Sequence, residues 1–172
     1  VGLVGPVTVF GGGSFSADGI AASTAAGKFV SLISDTGEIT QSATASSRIL
    51  GSELRVTTNN KNVTLTNINP GDPPSSSSNS IASIGNSNLG TGKLTVIDGV
   101  GDLTLSNPVI ADGGVILTTQ TTFNLPGSVT VANGGISLTS VTGSIALSST
   151  VSAVNGQVQL DAGGAGTITQ TG

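Results

Sequence analysis

The sequence predicts an all-β fold, a parallel β-solenoid whose coils are about 21 to 24 residues long. Two observations predict it. Short segments alternate an aliphatic residue with a small or polar one, and these segments recur along the whole chain at a nearly constant spacing. Charged residues make up only 8% of the 172 residues and cysteine is absent. A chain of this composition needs a repetitive aliphatic core to fold.

The alternation has a period of two residues, which is the period of a strand with one buried face. Residues such as Thr64 and Ser137, between two aliphatic residues, are predicted to face outward. The segments with this pattern are Val7–Val9, Val30–Leu32, Leu54–Val56, Val63–Leu65, Leu94–Val96, Leu103–Leu105, Val115–Leu117, Val129–Val131, Ile136–Leu138, Ile145–Leu147 and Val158–Leu160.

The spacing of these segments predicts the coils. Those that start at 7, 30, 54, 94, 115, 136 and 158 follow one another after 23, 24, 40, 21, 21 and 22 residues. A further strand is predicted nine residues into several of these units, as at 63 after 54. Glycines are predicted between the strands, where they accept the positive φ of a tight turn; they are Gly37, Gly51, Gly99, Gly134, Gly143 and Gly156.

The 40-residue step contains the one conspicuous low-complexity segment, Pro70–Pro74 followed by Ser75–Ser78. Proline cannot donate to a strand ladder and serine runs are flexible, so a loop is predicted at about residues 70–80. The same strand pattern resumes after it, which predicts a single β-helix domain over residues 1–172. Because the sequence shows neither an initiator methionine nor an export signal, we expect it to be a fragment of a larger protein.

Several repeat motifs resemble those of a known family. The segments Glu38–Ser42 and Thr167–Gly172 share the element Ile-Thr-Gln, while Val63–Asn67 and Gly101–Leu105 share a Leu-Thr pattern. Together they resemble the repeats of filamentous-haemagglutinin-like exoproteins and related autotransporter passenger domains. The resemblance covers roughly residues 28–172. It implies a right-handed parallel β-helix that is secreted across the outer membrane and serves in cell adhesion at the bacterial surface.

The composition excludes several kinds of catalytic and binding site. Histidine, cysteine, tryptophan and tyrosine are absent, so the chain holds no Ser-His-Asp device, no imidazole or thiolate metal site and no large aromatic platform for sugars. The basic residues are scattered singly, and no apolar run reaches the roughly 18 residues of a membrane span. Neither nucleic acid nor membrane insertion is therefore expected; the basic residues are Lys28, Arg48, Arg55, Lys61 and Lys93.

The closest grouping of acids is Asp98, Asp102 and Asp112. Asp-Gly is a turn signal, so the favoured interpretation gives these residues a structural role in turns. They are also the candidate ligands of a weak Ca²⁺ site, the one cofactor considered. No catalytic or cofactor-binding residue is predicted, and the protein is not expected to be an enzyme. A polysaccharide-acting β-helix enzyme is the least favoured alternative.

The predicted function is a structural shaft or adhesin segment of a secreted bacterial cell-surface or fibre protein. Because the ends of a β-helix expose unpaired strand edges, we expect them to stack on neighbouring coils or on other copies and to form filaments. The alternative is a module that binds a host or environmental glycan or protein through the loop at 70–80. An ice-binding array is disfavoured, because the outward pair Thr64 and Thr66 is not repeated regularly. The four phenylalanines are predicted to fill the core or cap an end; they are Phe10, Phe15, Phe29 and Phe123.

Overall fold

The computed structural model describes residues 7–22, 25–42, 44–67 and 78–171. It confirms the fold class: the chain is all-β, and parallel strands stack in about 7 coils of a β-solenoid. The described residues contain one 3-10 turn, Ala45–Ser47, and no α-helix. Within the same residues, no helix has the length and apolar character that crossing a membrane requires.

The strands are short, and each of the eleven segments predicted from the alternating pattern lies in one of them. Their bounds are β1 (Val7–Gly11), β2 (Phe15–Ser16), β3 (Phe29–Ser34), β4 (Ile39–Thr40), β5 (Leu50–Thr58), β6 (Val63–Leu65), β7 (Ser80–Ile84), β8 (Ser87–Asn88), β9 (Lys93–Ile97), β10 (Leu103–Leu105), β11 (Val109–Ile110), β12 (Gly114–Thr119), β13 (Phe123–Leu125), β14 (Val129–Val131), β15 (Ile136–Ser140), β16 (Ile145–Leu147), β17 (Val151–Ala153), β18 (Val158–Ala162) and β19 (Ile168–Gln170).

Two sheets form the walls of the solenoid. The seven-stranded sheet runs β2, β4, β6, β9, β12, β15, β18. The twelve-stranded sheet begins with β1, β3 and β5 and then forks, because the nine-residue β5 pairs with β7 through Leu54 and with β8 through Thr57. Branch 1 continues as β7, β10, β13, β16, β19, and branch 2 as β8, β11, β14, β17. The cross-section therefore changes from two main faces to three after β5.

The prediction that Leu54 and Leu94 start equivalent strands of successive coils, 40 residues apart, is wrong. Leu54 pairs with Ile84, 30 residues later in the twelve-stranded sheet. Leu94 belongs to the seven-stranded sheet, where it pairs with Val63, 31 residues earlier. Both sheets have the same alternating pattern. The predicted series of strands therefore joined Leu54 of the twelve-stranded sheet to Leu94 of the seven-stranded sheet. Elsewhere strand partners are 20 to 24 residues apart, as in Leu103 with Phe123 and Val30 with Leu54.

Aliphatic side chains from all faces fill the interior. The inward aliphatic side chains of β9 and β12 have no exposed surface, namely Leu94, Val96, Val115 and Leu117, and Phe123 is the largest fully buried side chain among the described residues. The prediction for phenylalanine holds for Phe123 and is wrong for Phe10, whose side chain is 63% exposed on the outer surface. It is also wrong for Phe29, which lies on the outer face of β3 with the Arg55 guanidinium 3.9 Å from its ring centre. The side chain of Phe15 lies outside the described residues.

The glycines of the corners serve mainly to let successive coils approach. A Cβ on Gly134 would overlap the backbone of Gly113, and a Cβ on Gly156 would overlap that of Gly134. Positive φ angles occur at other glycines, such as Gly101 and Gly114. Gly51, which was predicted between strands, lies inside β5. Lack of room between stacked coils, rather than turn conformation, therefore explains the glycines singled out in the sequence.

Candidate functional site

The three aspartates considered for Ca²⁺ do not form one group. Asp98 and Asp102 lie in the corner between β9 and β10, whereas Asp112 lies in the corner between β11 and β12. Those corners join different pairs of faces. Among the described residues, no three His, Cys, Asp or Glu side chains are placed to hold a metal ion. The structure thus gives a weak Ca²⁺ site no geometric support.

Two of these aspartates tie one coil to the next. Asp102 accepts hydrogen bonds from the Thr121 hydroxyl and from the Thr122 amide, the latter at 2.8 Å. Those two groups hold the pKa of Asp102 below its usual range. Asp112 accepts a 3.3 Å hydrogen bond from the Ala132 amide. Both aspartates therefore have the structural role in turns that the sequence favoured.

Asp98 differs from them because it is buried. Its side chain is 1% exposed, and its Oδ1 accepts a 2.9 Å hydrogen bond from the Ile81 amide. Its Oδ2 is buried and has no hydrogen-bond partner. Burial raises the pKa of Asp98 to about 7, although the backbone amides of Ile81 and Val100 act in the opposite direction. For a buried carboxyl without a neighbouring cation, burial disfavours the ionised form relative to the protonated form.

Asp98 belongs to a column of buried polar residues at the end of the seven-stranded sheet, one from each of four successive coils. The column consists of Asn67, Asp98, Thr119 and Ser140, all at most 1% exposed. The Thr119 hydroxyl donates a 2.6 Å hydrogen bond to the carbonyl of Gly101, and the Asn67 amide donates at 2.9 Å to a carbonyl of the preceding coil. Both carbonyls also accept a backbone N–H, from Thr121 and from Ser47, so the buried side chains find their partners among corner carbonyls of other coils.

The sequence contained a signal for this column that the analysis of the sequence missed. Each member follows an inward aliphatic residue by two positions, as Asp98 follows Val96 and Thr119 follows Leu117. Continuing the period of two by one step places a polar side chain inward. The period of two predicts which position is buried, but the hydrogen-bond partners of the side chain follow only from the three-dimensional structure.

A second polar cluster closes the coil that begins at β7. The side-chain oxygen of Asn79 accepts hydrogen bonds from the Ile49 amide and from Gln41 Nε2, both at 2.8 Å. Its amide nitrogen donates to the carbonyl of Ile97 at 3.1 Å and to Gln41 Oε1 at 3.0 Å. Of the loop predicted at 70–80, residues 70–77 lie outside the described residues. Ser78 and Asn79 are buried, and β7 begins at Ser80.

The last coil presents inward side chains without a covering layer. Val158 is 43% exposed and Ile168 is 48% exposed. Their strand partners one coil earlier, Ile136 and Ile145, are at most 1% exposed. Strands β17, β18 and β19 end the three stacks, and each pairs through one edge only among the described residues. Within the described part of the chain, this C-terminal edge combines open strand edges with exposed inward-facing aliphatic side chains.

The geometry of the chain is thus that of a stacked scaffold with an open edge. Comparison of the chain with protein-family models, with curated proteins and with solved structures found no match. The resemblance to filamentous-haemagglutinin-like exoproteins therefore stays a prediction that rests on the repeat motifs.

Proposed function

We propose that this chain is a shaft segment of a secreted bacterial surface or fibre protein, and that its C-terminal edge stacks on a further β-solenoid coil. That coil belongs either to the same polypeptide or to another copy. The observation that carries the proposal is the exposure of inward-facing aliphatic side chains in β18 and β19. These side chains have the pattern of a core position and lack the covering layer of a core.

An added coil would pair the backbone polar groups at this edge and cover its exposed aliphatic side chains. The strand edges carry backbone N–H and C=O groups that a parallel partner would pair at a spacing of about 4.8 Å. The partner would also bury Val158, Leu160 and Ile168. Complete burial of one such side chain is worth roughly 1.5 to 3 kcal/mol, and these three are already partly covered, so each would gain a fraction of that.

A shaft role agrees with the way the coils are held together. Each coil contacts only its neighbours, so rigidity comes from continuous ladders and an unbroken aliphatic core. About seven coils at the strand spacing give a length of about 35 Å. We propose right-handed winding, the hand found in nearly all parallel crossovers. Secretion, surface location and an adhesive role rest on the resemblance stated above.

Stacking through the C-terminal edge is tested by placing a charge on it. Leu160→Lys and Ile168→Lys put an ammonium on inward positions of the open edge, and Gln159→Lys puts one on the outward position of β18 next to Leu160. Sedimentation velocity over a range of concentrations should show association of the parent chain that is reduced in the two inward variants and unchanged in Gln159→Lys. Equal behaviour of all four chains would overturn the stacking proposal.

The adhesive role needs its own experiment. Beads coated with the chain should bind to bacterial or host cell surfaces more strongly than beads coated with an unrelated protein. A variant that lacks residues 70–77 tests the alternative in which the loop binds the ligand. If coated and control beads adhere equally, the adhesive role fails and the shaft role remains. Adhesion that disappears only with the loop would favour the binding-module alternative.

A further inference from the structure

An outward column of uncharged residues runs along the twelve-stranded sheet and continues into branch 2. Strand pairing connects its members one coil at a time: Phe10 with Ile33, Ile33 with Thr57, Thr57 with Asn88, and Asn88 with Ile110. Phe10 is 63% exposed and Ile110 is 48% exposed. Two large apolar side chains therefore stand on one uncharged strip of an otherwise hydroxyl-rich and amide-rich surface.

The same strip contains a depression. Thr57, Asn86, Asn88, Pro108 and Ile110 line a groove of about 260 Å³. It lies at the bend between β7 and β8, beside the C-terminal end of β5, where branch 2 begins. A cavity of roughly 150 Å³ is enough to hold benzene, so a groove of this volume has room for a phenylalanine ring. No charged side chain lines it.

We propose that two copies of this chain associate side by side about a two-fold axis, with Phe10 of each copy inserted into this groove of the other. A projecting ring and a groove on the same strip are what an isologous interface requires. Phe10 is three strand spacings, about 14 Å, from Asn88 at the centre of the groove. The axis therefore passes midway, between Ile33 and Thr57, and the two shafts run antiparallel.

The chemistry of the strip favours a second copy as the occupant. An uncharged strip can face itself without bringing like charges together. Across the axis, the half-buried Ile33 meets Thr57 of the other copy, and both Phe10 rings leave water. A whole aromatic side chain buries about 150 to 250 Å², of which Phe10 has 63% still exposed, while a standard interface buries about 800 Å² per partner. The pair is accordingly a weak, reversible dimer.

This lateral contact is separate from the end-to-end stacking proposed above, because it uses an outer face and not the open strand edges. The two are distinguishable by mutation. Phe10→Ser should reduce lateral association at least tenfold and leave end stacking unchanged. Ile168→Lys should do the reverse. Circular dichroism and thermal melting check that the Phe10→Ser chain is folded. If Phe10→Ser associates as strongly as the parent chain, the lateral dimer is overturned.

A cross-linking experiment tests the position of the axis. The chain has no cysteine, so an introduced cysteine is its only thiol. Ile33→Cys and Thr57→Cys chains, mixed and mildly oxidised, should give the mixed disulfide dimer several-fold over either homodimer. Thr130→Cys, one coil beyond Ile110 in the same column, is the matched control and should not cross-link above background. A statistical mixture of the three disulfide dimers, or equal cross-linking of the control, would overturn the proposed geometry.

Discussion

The buried carboxyl of Asp98 makes the stability of this solenoid depend on pH. Asp98→Asn is the perturbation that isolates it, because asparagine keeps an oxygen to accept the Ile81 amide and cannot ionise. In the folded chain the pKa of Asp98 is about 7, against an ordinary value of 3.8. The folded state therefore keeps a proton that the unfolded chain releases in mildly acidic solution.

The sign and the size of the effect follow from this difference. The contribution of Asp98 to the free energy of unfolding should be highest below pH 3.8, fall as the pH rises, and stop changing once the pH passes about 7. Each unit of difference in pKa is worth about 1.4 kcal/mol, so the whole fall is about 4 kcal/mol. Between pH 5 and pH 8 it amounts to about 2.5 kcal/mol. The cause of this fall is the burial of the Asp98 carboxyl without a neighbouring cation.

Urea unfolding at pH 5 and at pH 8 measures this contribution. With slopes of about 1 to 3 kcal/mol per molar urea, the midpoint of the parent chain should fall by about 1 M or more between the two values. Asp98→Asn should remove that fall. Asp102→Asn is the matched control, because its lowered pKa keeps Asp102 ionised throughout this range, so the fall should persist. The same dependence on pH in the parent chain and in Asp98→Asn would refute the argument.

The remaining predictions concern packing and are measured by the same unfolding experiment at a single pH. Phe123→Ala should lower the free energy of unfolding by about 3 to 5 kcal/mol because it empties a core position. Phe10→Ala should change it by about 0.5 kcal/mol or less, since its side chain is 63% exposed. Gly134→Ala should cost about 1 to 3 kcal/mol because its Cβ overlaps the backbone of Gly113, whereas Gly12→Ala meets no atom and should be neutral. Equal stability of the two alanine variants in either pair would contradict the packing described.

The local pattern of the sequence determined which segments are strands and which of their side chains face inward. Leu94 and Val96, for example, are aliphatic, alternate with Thr95 and have no exposed surface. Alternation is a property of the single strand, because successive side chains point to opposite sides of an extended backbone. The fold class and the approximate coil length could therefore be predicted from residue types and spacing alone.

The partner of each strand was decided only by the tertiary structure. Leu54 could be aligned with Leu94 because both sheets repeat the same pattern, and pairing depends on how the chain turns between them. The fork at β5 shows this, since one strand serves two branches.

The surroundings of Asp98 and Phe10 were hidden for the same reason. An Asp-Gly turn signal does not show that the carboxyl points inward, and an aromatic residue in a strand does not show which face it occupies. Burial and hydrogen bonding depend on neighbours from other coils, 17 residues away for the bond from Ile81 to Asp98. Residue type and local spacing determine where the strands lie, while contacts between coils determine the surroundings of side chains such as Asp98.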